Sequence, residues 1–323
     1  MPARSPYDTL VTIYGGSGFL GRHVVRALAK RNYRIRVAVR RPELAGHLQP
    51  LGRVGQIHAV QTNLRNAASV EAAARGAHVL INLVGILFES GRQKFDSVHT
   101  SGAEQVALTA AAHGAALVHI SAIGADENSS SHYGRSKAQA EKLVLAAQPQ
   151  AVIIRPSIMF GPEDDFFNRF AGLARMSPFL PLVGGGKTRF QPVFVGDVAA
   201  AIANAVDGKL RGGTTYELGG PEVRTFKQLM QYVLDTTERK RLLLPIPFFA
   251  AKLPAMIMQF MPKPMLTPDQ VELLRADNVV SDAAIAERRT LQGIGIEPDS
   301  IEAIVPSYLW RFRKTGQFRS RPA

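Results

Sequence analysis

Gly15, Gly18 and Gly21 stand between a short apolar run, Leu10 to Tyr14, and a stretch in which Leu20, Val24 and Leu28 recur at helical spacing. This placement constrains the fold more than any other feature of the chain. Glycines at this spacing let a strand turn tightly into a helix, and they let backbone come close to a ligand at the helix N-terminus. Unpaired N–H groups and the helix dipole collect there, so the ligand group that suits the turn is an anion such as a pyrophosphate. The reading is therefore a dinucleotide held on Gly15, Gly18, Phe19, Leu20 and Gly21. The plain alternative is an ordinary strand-to-helix turn.

Further β-rich runs follow at Arg34 to Arg40, Ile57 to Gln61, His78 to Leu83, Leu117 to Ser121 and Val152 to Arg155, separated by alanine-rich helical stretches. Such alternation predicts βαβ units. The expected fold is α/β, a doubly wound parallel sheet of the Rossmann type, with a smaller interleaved C-terminal lobe. We place the dinucleotide-binding domain at 1–160 and the lobe mainly at 161–323, with elements from about 190–220 returning to the sheet. At 323 residues the chain is long enough for both.

On the second strand's end, Arg40 and Arg41 take the place where a fold preferring NAD usually carries an acid for the ribose hydroxyls, and no acid precedes Glu43. Guanidinium groups grip phosphate in a fork, which favours a 2′-phosphate. The expected cofactor is NADP(H), with NAD(H) as the alternative. Asn63 and Leu64 follow the third strand and Asn82 ends the fourth, all on the edge where ligands gather; either asparagine could instead cap a turn.

Composition narrows the rest. Cysteine is absent, which excludes disulfides, thiolate catalysis and cysteine-ligated metal. The formal net charge of +13 favours partners of negative sign. No nucleic-acid motif accompanies the basic runs, so nucleic acid is set aside. The first ten residues lack a secretory apolar run, which predicts a cytoplasmic protein, peripheral at most on the inner face of an energy-transducing membrane. From Leu242 to Leu266 the chain is mostly apolar but broken by Pro245, Pro247, Pro254, Pro262 and Pro264, too interrupted for a spanning helix. It reads as packed core of the lobe or, more sharply, as a face for a membrane or partner. The latter would act with the basic tail Arg311, Arg313, Lys314, Arg319 and Arg321.

Tyr133 and Lys137 stand four apart among helix formers and should share a helix face. An ammonium beside a phenol favours phenolate and would move this tyrosine toward acid/base work at neutral pH. With GGSGFLG, INLVG, YGRSK and RPSIMFGP in order, the chain resembles the extended and atypical short-chain dehydrogenase/reductases over roughly Leu10 to Gly220. VHISAIGAD, FQPVFVGDVAAAI and the proline-broken segment resemble the branch containing a nucleotide-binding accessory subunit of respiratory complex I and its bacterial homologues. The resemblance implies Tyr133, Lys137 and Ser121 as the catalytic set, with Lys137, Ser121, Pro156 and Ser157 beside the nicotinamide. It also departs from the pattern: Ala122 and Ile123 follow Ser121 where many members carry a second hydroxyl. Two functions follow, a non-turnover complex I accessory or assembly subunit and an NADP-dependent oxidoreductase or epimerase on a small hydroxyl or carbonyl substrate.

Overall fold

The computed structural model describes residues 5–262 and 264–315, so Arg319 and Arg321 lie outside the described residues. Six parallel strands and a seventh from the second half make one sheet: β1 (Leu10–Tyr14), β2 (Arg34–Val39), β3 (Ile57–Gln61), β4 (Val79–Asn82), β5 (Ala116–Ile120), β6 (Val152–Pro156) and β11 (Thr215–Leu218). Their spatial order is β11-β6-β5-β4-β1-β2-β3. The order reverses between β1 and β4, and the crevice outside the carboxyl ends at such a switch is where ligands bind.

Helices cover both faces because the central strands β1, β4 and β5 are buried on both sides. On one face α1 (Phe19–Lys30) and α6 (Val195–Val206) supply Val24, Leu28, Val198 and Ile202 to a core with Ile13, Val37 and Ile81. On the other, α2 (Ala67–Ala74), α3 (Ser101–Ala112) and α4 (His132–Ala147) bring Val70, Val106, Ala140 and Val144 against Leu80 and Leu117.

The remaining elements build a second core. Helices α5 (Phe167–Met176) and α7 (Phe226–Thr236) pack Phe167, Ala171, Leu229 and Val233 with Phe160 and Leu180. Small strand pairs tie this region together: β7 (Met159–Phe160) with β10 (Val193–Phe194), β9 (Arg189–Phe190) with β12 (Arg224–Thr225), and β8 (Phe179–Val183) with β13 (Leu242–Ile246). The run Phe190 to Val195 forms parts of two short strands, since Pro192 cannot donate to a ladder. The apolar segment forms β13, then α8 (Phe248–Met258), and leads to α9 (Pro268–Leu273). It is largely not core. Phe249, Leu253, Met256, Ile257 and Phe260 face outward, and only Ala251 and Ala255 of α8 are buried. Among the described residues no helix is long and apolar enough to cross a membrane.

Candidate dinucleotide and substrate site

The turn after β1 is shaped as its glycines allow. Gly15 takes a left-handed φ of +82° and donates its N–H to the Ala38 carbonyl, while Gly18 donates to the Gly15 carbonyl. A Cβ on Gly21 would fall 2.5 Å from the Gly16 carbonyl, so only glycine lets α1 pack this close to the turn. A Cβ on Gly18 would meet nothing nearer than 3.4 Å, which leaves open space in front of the N-terminus of α1. No side chain caps α1.

A cavity of about 1240 Å³ runs from this turn across the carboxyl ends of the sheet and into the lobe. It brings together Gly15, Gly18, Phe19, Leu20, Gly21, Arg40, Asn63, Leu64, Ser121, Tyr133, Lys137, Pro156 and Ser157. Two expected residues are not on its wall. Arg41 is exposed outside it, and Asn82 is buried behind it. Asn82 pairs with His119 in the β4–β5 register, so their side chains share a sheet face; the Asn82 amide donates to His119 Nδ1 at 3.3 Å and its oxygen accepts from Val84 N–H. It caps a turn. Arg40 points a guanidinium N–H at Gln93 and remains exposed, within reach of a charged ligand.

Tyr133 and Lys137 do share a face of α4. The ammonium lies 6.0 Å from the phenol ring centre and donates to the Ile120 carbonyl at 3.1 Å. Phe95 and His99 meet the ring edge-on, fixing it. Among the described residues the Tyr133 hydroxyl makes no hydrogen bond, so it is left for a ligand in the cavity. The expected phenolate is not favoured. Burial pushes Tyr133 up to about 12, with the Asp269 carboxylate adding to the effect, and burial pushes Lys137 down to about 8 despite Glu141. Desolvation outweighs the attraction between two groups set this far apart.

Ser121 is buried on the cavity wall, and among the described residues its hydroxyl has no partner; Thr62 is in the same position. Beyond Ser121, Ala122 and Ile123 line the wall where a second hydroxyl would stand, and Ile123 packs on Val280 and Ala284. The Ser157 hydroxyl is engaged by the side chain and carbonyl of Asn278, which also lines the cavity. Three residues escaped the sequence reading. Thr62 is one. Asn278 also receives the Ile158 N–H and donates to the Ile123 carbonyl, stitching the ends of β5 and β6 to the lobe. Asp269 of α9 accepts from the Ser131 hydroxyl and from the backbone N–H groups of His132 and Tyr133, capping the helix that carries Tyr133 and Lys137. Only a long-range fold shows these contacts; no local pattern in the sequence marks them.

The glycine cradle, the uncapped helix and two unpartnered buried hydroxyls fit a dinucleotide. The sequence profile of the NAD dependent epimerase/dehydratase family matches residues 11–219. The chain belongs to that family. Membership supports binding of a nicotinamide cofactor. Among relatives of this family member, "NADH dehydrogenase [ubiquinone] 1 alpha subcomplex subunit 9, mitochondrial" of Arabidopsis thaliana is 37% identical over 320 residues, covering 95% of this chain and 79% of that one. The "Ceramide reductase" of Caulobacter vibrioides is 36% identical over 193 residues, covering 60% of this chain and 59% of that one. The crystal structure of the NADPH-dependent quinone oxidoreductase QOR2 of Escherichia coli with NADPH matches with a TM-score of 0.72 at 19% identity, covering 93% and 99% of the two chains. At that identity it shows the fold.

Proposed function

We propose that this chain is an NADP(H)-binding accessory or assembly subunit associated with respiratory complex I, in which the nucleotide stabilises the fold. One observation carries the reading. The family profile ends at residue 219, yet the likeness to the plant complex I subunit extends over 95% of the chain, well into the lobe that bears the exposed apolar helix α8. The 2′-phosphate of NADP(H) would lie toward Arg40, the pyrophosphate on the turn Gly15 to Gly21, and the nicotinamide between Ser121, Lys137 and Pro156. The segment 242–266, with Arg311 and Arg313 beyond it, is the face we assign to complex I subunits or an anionic membrane surface. A ligand that binds only the folded state stabilises it by about 2.7 kcal/mol at a hundredfold excess over its dissociation constant, with no turnover needed.

The free Tyr133 hydroxyl supports a second reading, an NADP-dependent oxidoreductase or epimerase. Bound NADP(H) would supply hydride chemistry, and Tyr133 would exchange a proton with a substrate oxygen, held protonated at neutral pH by its burial. One pair of variants separates the readings. Gly18→Val fills the pyrophosphate space and should abolish nucleotide binding and assembly; Tyr133→Phe should leave both intact. A Tyr133→Phe strain with nucleotide bound and the defect of Gly18→Val would replace the accessory reading with the enzymatic one.

A further inference from the structure

Helix α8 is apolar apart from Lys252, which pairs with Glu272. At helical spacing it turns Ala251 and Ala255 into a small core with Val183 and Val271, and Pro254 and Met258 onto the cavity wall. Its other face shows Phe249, Leu253, Met256 and Ile257, and Phe260 follows; Ile257 is 76% and Phe260 85% exposed. So many large apolar side chains on one outward face suit contact with apolar matter, and the helix's 11 residues are too short to cross a bilayer but suit an interfacial position.

The cavity reaches this helix from the inside. Across from Pro254 and Met258 its wall is Phe170, Leu173, Phe179 and Val183, from α5 and β8. Four charged side chains along this wall are engaged. Arg169 donates to the Pro264 carbonyl, Glu272 pairs with Lys252 and Arg275, Arg275 lies 4.6 Å over the Phe248 ring, and Asp277 is held by Arg189. At the other end of this arm stands the Tyr133 hydroxyl, with Ala122 and Ile123 beside it offering no polar side-chain atom. A volume of about 1240 Å³ exceeds the roughly 300–1,000 Å³ of a pocket for one ligand, so room remains beside a dinucleotide.

We propose that the apolar arm of the cavity binds a single-chain amphiphile, a long-chain ketone or secondary alcohol, with its oxygen at Tyr133 and its chain between α5 and α8. The chain enters and leaves through α8 lying in a membrane surface; that route, unlike the site itself, rests on the membrane-facing reading of 242–266. The shape asks for this ligand class: the Tyr133 and Ser121 hydroxyls inside, then the apolar side chains of α5, β8 and α8 to an apolar exit.

The test uses the full chain and a long-chain methyl ketone carrying pyrene at its tail, supplied either in phosphatidylcholine–phosphatidylglycerol vesicles or from cyclodextrin. After a high-salt wash releases the protein and flotation removes the vesicles, wild type should retain the ketone. Leu173→Trp fills the arm and should still bind vesicles and NADPH but retain no ketone; if it loses NADPH binding, Met258→Trp fills the arm from the α8 side. Ile257→Asp should lose vesicle binding and still take ketone from cyclodextrin. Uptake by wild type from cyclodextrin but not from vesicles would keep the site and remove the membrane route. No uptake from either source, or equal uptake by wild type and both arm-filling variants, overturns the proposal.

Discussion

Acid should destabilise this protein through two histidines that the fold keeps neutral. His99 is buried against Tyr133; its Nε2 accepts the Ile86 N–H at 3.0 Å. The Ser136 hydroxyl is spent as a donor on the Tyr133 carbonyl, so His99 Nδ1 donates to Ser136 and its Nε2 has no room for a second proton. Burial, with Lys137 nearby, pushes His99 down to about 2; burial and Lys137 push His119 down to about 3. Both folded-state values lie below the ordinary 6.5, so below that pH the unfolded chain binds more protons and stability falls as pH falls. Each histidine then costs about 1.4 kcal/mol per pH unit, or about 2 kcal/mol each on reaching about pH 5. Asp197, pushed up to about 6 by burial, acts in the opposite sense and returns about 1.4 kcal/mol by that pH, leaving a net loss of about 2–3 kcal/mol. Urea unfolding at neutral pH and at about pH 5 reads this directly. His119→Gln and His99→Gln should each flatten the pH slope by about 2 kcal/mol over that interval whatever they do to the neutral value. Equal wild-type stability at the two pH values, or an unchanged slope in both variants, would refute the argument.

Gly21→Ala should lower stability by about 1–3 kcal/mol in urea titration, because its Cβ meets backbone rather than a side chain that can move. Gly18→Val should unfold near the wild-type midpoint without nucleotide and lose the stabilisation NADPH gives, since the added Cβ meets only the Gly15 carbonyl at 3.4 Å. Arg40→Ala should cut the preference for NADPH over NADH by about tenfold to a hundredfold in a fluorescence titration, the worth of a charge-assisted contact. Arg41→Ala, off the cavity wall, should change it little. Asp269→Ala should cost about 1–2 kcal/mol of stability, measured by thermal or urea unfolding, because it removes the acceptor for the first two N–H groups of α4.

The sheet was legible because buried parallel strands are continuous apolar runs, and the turn because Gly15 and Gly21 have backbone duties that other residues cannot perform. The pairing of Tyr133 with Lys137 on one helix face followed from spacing alone. Their charge states did not, because desolvation depends on how deeply a helix is buried and spacing says nothing of that. Asn82 stood at the correct sheet edge, but strand parity turned it toward His119. Asp269 and Asn278 act more than 100 residues from the groups they hold, a distance no local pattern spans. The apolar segment left core and surface open, since composition cannot tell a helix packed into a lobe from one laid upon it; the outward Phe249, Ile257 and Phe260 decide between them.

The measurement that bears most directly on the central claim is isolation of the native protein from gently solubilised membranes, followed by identification of its companions and extraction of its nucleotide. The account predicts co-purification with complex I subunits and release of NADP(H) on denaturation. Recovery of the protein alone, with no nucleotide or with NAD(H) only, would contradict it.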